Sequence, residues 1–191
     1  MKKLVWILLM VSVIMGGFPS SIQGANLHME PDAFSLQIVN FAPHSSFDDF
    51  LSLDIGYGRN HYQGYALNAI SGEGRAVLQV EYQFLPEDMR DRAAELQYGF
   101  KLGASSGSYW EQDDPAGKAG VIMENELNDR QEIYFDGELV IGDTNWVDLE
   151  FGTRGKLGTG IFGVLGYKMV VSQAEDDDAI QGIHYGIKTE F

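Results

Sequence analysis

The 191-residue chain has no cysteine and only 5 prolines, and it sets 13 Lys and Arg against 28 Asp and Glu, a formal net charge of −15. The absence of cysteine excludes a disulfide framework, thiolate metal ligands, a cysteine nucleophile and a lipid-modified cysteine anchor. The shortage of cations argues against a nucleic-acid partner, because phosphate binding needs a basic surface. It argues equally against docking on an anionic membrane surface. Beyond the N-terminal region no apolar run is long enough for a membrane-spanning helix. What the chain does have is 23 glycines, 12% aromatic residues and 45% hydrophobic residues. That content is too apolar for a disordered acidic tail. The mixture of glycine and aromatics fits a turn-rich β protein better than a helical one.

Lys2 and Lys3 precede an apolar run over 4–15, and Gly16, Gly17, Pro19, Ser20 and Ser21 follow it. This is the pattern of a secretory leader, so residues 1–24 are expected to be a signal peptide cleaved after Gly24 or Ala25. Its loss removes two cations and no carboxylate, taking the charge from −15 to −17. A single domain over 25–191 is then exported, either as a soluble protein or as a β-barrel.

Along that domain the hydrophobic period is two, not 3.6. Over 75–84, Ala76, Leu78, Val80, Tyr82 and Phe84 share one face. Arg75, Gln79, Glu81 and Gln83 share the other, where Val77 is the lone apolar residue. The same alternation runs through 51–58, 94–102, 133–141 and 147–153. Weaker copies lie at 63–70, 118–126 and 160–172, with a first strand expected at 33–39 and a last at 179–191. No charge falls on the apolar face of the strands after the first, although charged residues make up 21% of the chain. Turn residues separate the strands at 72–74, 128–129, 142–144 and 155–158. Longer polar loops are expected at 42–49, 105–117 and 173–178, and Pro86, Glu87 and Asp88 open a candidate helical turn in 85–93.

Alternation alone does not say whether the apolar face meets lipid or a protein interior. The strand lengths suit a tilted crossing of a bilayer, and Tyr and Phe recur near strand ends, as an interfacial girdle requires. At the C-terminus Ile183, Tyr185, Ile187, Thr189 and Phe191 share one face. This resembles the C-terminal β-signal of bacterial outer-membrane proteins, in which a terminal aromatic and alternate hydrophobic residues are read by the barrel-assembly machinery. With the leader and the hairpins, the chain resembles the small outer-membrane β-barrel superfamily that includes OmpX-, OmpW- and YfaZ-like proteins. The resemblance implies an all-β, antiparallel, up-and-down transmembrane barrel of about ten strands, or eight if two are misread. It implies outer-membrane lipids and the assembly machinery as partners, with Tyr185, Ile187, Thr189 and Phe191 as the assembly signal. Loops 105–117 and 173–178 then lie outside the cell, and 127–131 and 155–158 are periplasmic turns.

On that reading Glu81, Glu95, Lys101, Asp136, Glu138, Asp148, Glu150, Arg154, Lys168 and Lys188 face the lumen, joined by Arg75, Glu124, Glu126 and Glu190. They form either a salt-bridged plug or, given the carboxylate excess, a narrow cation-favouring pore. Asp136/Glu138 and Asp148/Glu150 are spaced as acid–base pairs are, but every lumen pair on a strand has that spacing. The run 175–178 offers oxygen ligands for Ca²⁺ without the spacing of an EF-hand loop. His44 and Ser46 faintly resemble a lipid A deacylase element, in the wrong part of the chain. His184 has Gly186 where a nucleophilic serine is needed. Tyr109 and Trp110 are placed at a loop tip, in reach of headgroups or a ligand. The expectation is a non-enzymatic barrel without a cofactor or metal. The alternatives are an outer-membrane lipid-modifying enzyme and a soluble periplasmic ligand-binding barrel.

Overall fold

The structure is a computed structural model that describes residues 33–44, 49–60, 63–72, 74–86, 96–107, 109, 115–128, 130–143, 145–173 and 179–191. The expected leader, the candidate helical turn after Pro86, Glu95, Trp110 and the acidic run 175–178 lie outside these residues.

Ten strands close into one antiparallel barrel in chain order: β1 (Phe34–Pro43), β2 (Phe50–Asn60), β3 (Gln63–Gly72), β4 (Arg75–Phe84), β5 (Gln97–Ser106), β6 (Ala116–Asn128), β7 (Gln131–Ile141), β8 (Trp146–Gly158), β9 (Ile161–Ser172) and β10 (Ile180–Glu190). Each strand pairs with its neighbours in sequence, and β10 pairs with β1 from Ser35↔Glu190 to Pro43↔Gly182. Closure gives each strand a hydrogen-bonded neighbour on both sides and leaves no sheet edge. The all-β up-and-down barrel is therefore the fold, with ten strands and not eight.

Two ends follow from the strand directions. The terminal end carries the start of β1, the end of β10, and the ends at which β2 leads to β3, β4 to β5, β6 to β7 and β8 to β9. The loop end carries 44–49, 73–74, 107–115, 142–145 and 173–179. Several boundaries differ from the sequence reading. Strand β1 runs on to Pro43, and β5 covers 97–106 where 94–102 was expected. The expected turn at 155–158 is strand: Gly155 pairs with Gly163 and Lys156 with Phe162, and the chain reverses at Thr159–Gly160. Gly160 holds φ at +64°, in the left-handed region, and its carbonyl accepts from the Glu190 amide at 2.8 Å. A turn at 155–158 would have given up ladder pairs that β9 is long enough to make.

The apolar positions face outward. Leu51, Leu53 and Ile55 on β2, Leu78 and Val80 on β4, Phe100 and Leu102 on β5 and Phe151 on β8 are all exposed, Phe151 at 56%. Among the described strand residues, the one charge on this outer face is Arg59, near the terminal end of β2. Neighbouring aromatics ring the barrel on the same face, with Tyr65–Tyr82 centroids 5.4 Å apart, Phe84–Phe100 5.6 Å and Phe151–Tyr167 5.7 Å. The charges are inside. Lys101, Lys118, Glu124, Arg154 and Lys188 are each buried to 5% exposure or less.

Candidate functional site

Among the described residues the barrel interior concentrates the charged and polar side chains, and it has three parts. The first is a charged wall contributed by β4 to β10. Lys101 Nζ lies 2.5 Å from Asp136, 3.7 Å from Glu81, and in contact with Glu138. Lys118 Nζ bridges Glu81 at 2.9 Å and Glu138 at 2.8 Å, and donates to Gln79 Oε1 at 2.8 Å. Nearer the terminal end Arg154 binds Glu124 at 2.8 Å and Glu132 at 2.5 Å, and its guanidinium stands 4.2 Å over the Tyr134 ring. Lys168 meets Asp148 at 2.7 Å and Glu150 at 3.7 Å, and Lys188 meets Glu190 at 2.6 Å at the rim. Charges drawn out of water require this kind of mutual pairing.

One row across the wall explains how its largest polar contact fits. Tyr134, Gly152, Gly166 and His184 are successive partners on β7, β8, β9 and β10. The two glycines leave a trough between the two rings. Tyr134 Oη and His184 Nε2 meet across it at 2.5 Å, and Tyr134 donates to Glu150 at 3.0 Å. A Cβ on Gly152 would lie 2.8 Å from Tyr134 Oη, and one on Gly166 would lie 2.6 Å from His184 Nε2.

The second part is a cavity of about 120 Å³ between this wall and the small polar residues of β1 to β3. Ser35, Gln37, Ser52, Gly56, Ala66 and Asn68 line its less charged side, where Asp54 is the one carboxylate and accepts from Ser52 and Asn68. That is room for several waters. The third part lies at the loop end. There the inward positions turn apolar: Phe41, Phe50, Ile70, Val77, Tyr109, Ala116, Val140, Trp146, Val170 and Ile180 form one buried cluster. Phe50 stacks edge-on against Tyr109 with centroids 5.6 Å apart, and Arg75 donates to the Tyr109 carbonyl at 2.7 Å. Tyr109 is fully buried, not displayed at a loop tip, and burial pushes its phenol well above its usual pKa, so it stays neutral.

Of the residues singled out from sequence, Glu81, Lys101, Asp136, Glu138, Asp148, Glu150, Arg154, Lys168 and Lys188 lie on this interior wall. Glu126 pairs with Glu132 and lines a small pocket at the terminal end with Glu132, Arg154 and Phe162, but it is exposed there, beside a register shift against β7. Sequence reasoning put Asp54 and Tyr134 on the polar faces of their strands but singled out neither them nor Lys118 or Glu132 as interior residues. Lys118 and Asp54 sit at inward parity on strands already recognised, and Glu132 lies one residue before the expected start of β7. His44 is exposed near the loop end, while His184 is fully buried inside the barrel wall, so the two are not brought together. Ser46 lies outside the described residues. Among the described residues, no cluster of three His, Asp or Glu side chains has metal-binding geometry.

The fold and the interior define a class, closed antiparallel β-barrels with an apolar exterior and a packed, charged interior. No family model and no curated protein matches the chain. Among solved structures it is similar to the N-terminal β-barrel domain of OprF from Pseudomonas aeruginosa. The identity is 8% and the TM-score 0.44, over 85% of this chain and 100% of that one.

Proposed function

We propose that the protein is an integral β-barrel of a bacterial outer membrane with no catalytic activity. In this reading the leader 1–24 exports it, and the barrel-assembly machinery inserts it by reading Tyr185, Ile187, Thr189 and Phe191. The observation that carries the proposal is the inverted distribution of polarity. A barrel of this size in water would bury its large apolar side chains, whereas here Leu51, Leu53, Ile55, Leu78, Leu102, Ile133 and Phe151 stand outward and paired ions line the inside below the loop-end cluster. Strands of 10 to 13 residues reach across a hydrocarbon core of about 30 Å when tilted. Tyr185 and Ile187 face outward, where lipid and assembly factors would meet them. The interior offers ion pairs between buried cations and carboxylates, Lys101 and Lys118 with Glu81 and Glu138 and Arg154 with Glu124 and Glu132, and this pairing supports a structural or narrow-pore role.

Fractionation of the producing cell tests this. The protein should sediment with outer membrane and migrate faster in detergent electrophoresis before heating than after. Release of the native protein by osmotic shock would overturn the reading. Deleting Phe191 should lower the yield of inserted barrel, and normal insertion would remove the proposed assembly signal.

A further inference from the structure

The charged wall and the apolar cluster occupy different ends of the same lumen, and the cavity runs between them. At one extreme it is lined by Ser35 and Gln37, close to the start of β1. Ser35 pairs with Glu190, the last residue of β10, so the cavity reaches the terminal end of the barrel. At the other extreme it is lined by Phe41, Ile70 and Tyr109, which belong to the apolar cluster. Val140, Val170 and Ile180 complete that layer without measurable exposure. All but Tyr109 are carried by strands, so the layer is a fixed part of the wall.

We propose that the lumen is a one-ended vestibule, wet and carboxylate-rich from the terminal end and sealed to ions at the loop end by this apolar stopper. The inference rests on the membrane-barrel reading above and assigns the permeability of that barrel to a particular layer. An ion crossing the layer would shed its hydration among side chains that are mostly valine, isoleucine and phenylalanine and cannot replace the water. Apolar constrictions of this kind close pores by excluding water. Below the stopper carboxylates outnumber cations on the wall, and such walls select for cations. The native barrel is therefore closed, and polar side chains in the stopper turn it into a cation-favouring channel.

The test uses the purified full barrel in planar bilayers. The native protein should insert without conductance steps, and Val140→Ser/Val170→Ser should show steps with cation permeability several-fold above anion permeability. Steps from the native protein, or a folded double variant that stays closed, would overturn the proposal. A second measurement does not depend on the stopper tolerating serine. The chain has no native cysteine, so Ser52→Cys, one position below Phe50 on the cavity wall, is a unique label site. In oriented vesicles a small membrane-impermeant thiol reagent should modify it from the terminal-end side only. Modification from the loop-end side would overturn the stopper. A protein that fails to enter bilayers at all refutes the membrane reading itself, which separates the two failures.

Discussion

At the scale of single residues the interior depends on atoms that are missing as much as on those present. Tyr134 on β7 and His184 on β10 have two strands between them, and only the glycines on those strands let the two rings meet. Gly166→Ala should cost about 1–3 kcal/mol by overpacking, because its Cβ would press on His184 Nε2 at 2.6 Å and on the Phe151 carbonyl at 2.5 Å. Denaturant unfolding of the folded barrel, followed by tryptophan fluorescence, measures this. A change under about 0.5 kcal/mol, the usual range for a neutral surface site, would mean that the trough is not filled as described. Sequence shows little of this arrangement. A period of two is enough to put Asp136 and Glu138 on one face of β7. It says nothing of Lys101 and Lys118 as their partners, since these lie 35 and 20 residues away along the chain and meet them across the paired strands β5, β6 and β7.

Among the elements, legibility follows how strictly the inward positions are polar. In β4 the inward run is Arg75, Val77, Gln79, Glu81 and Gln83, and the alternation alone sets both register and ends. In β5 the inward Gly99 and Gly103 carry no side-chain signal, and the boundary shifts by several residues. The β8–β9 turn was misplaced because Gly155 and Gly158 look like turn residues in sequence, while the reversal belongs to Gly160, whose left-handed φ no preceding pattern announces. Two glycines with positive φ therefore predict different penalties. Gly160→Ala should cost more than the about 1 kcal/mol of a left-handed alanine, because a Cβ there meets the Glu190 carbonyl at 2.7 Å. Gly74→Ala should cost only the conformational part, since nothing lies within 4 Å of its Cβ. Equal losses in a paired unfolding measurement would show that the contact with β10 does not constrain the hairpin.

For the whole molecule the decisive quantity is the medium around the exterior, and the apolar stopper explains why sequence pattern alone left it open. Val77, Val140, Trp146 and Val170 put apolar residues on the inner face as well, so apolar positions occur on both sides of the wall near the loop end. Only the three-dimensional distribution separates a short inner cap from a belt that runs around the outside. Leu102, 53% exposed in the middle of β5, reports on the medium directly. In water Leu102→Lys at such a site would change stability by no more than about 0.5 kcal/mol in either direction. In a bilayer the same substitution costs about 2–4 kcal/mol near the midplane and about 0–1 kcal/mol near the interface. Phe34→Lys, at the first position of β1 beside the terminal end, supplies the interfacial comparison. The membrane reading predicts that Leu102→Lys destabilises the barrel in lipid vesicles by at least about 1 kcal/mol more than Phe34→Lys does. Equal, small effects at both sites would mean that the outer face of this barrel meets something other than hydrocarbon.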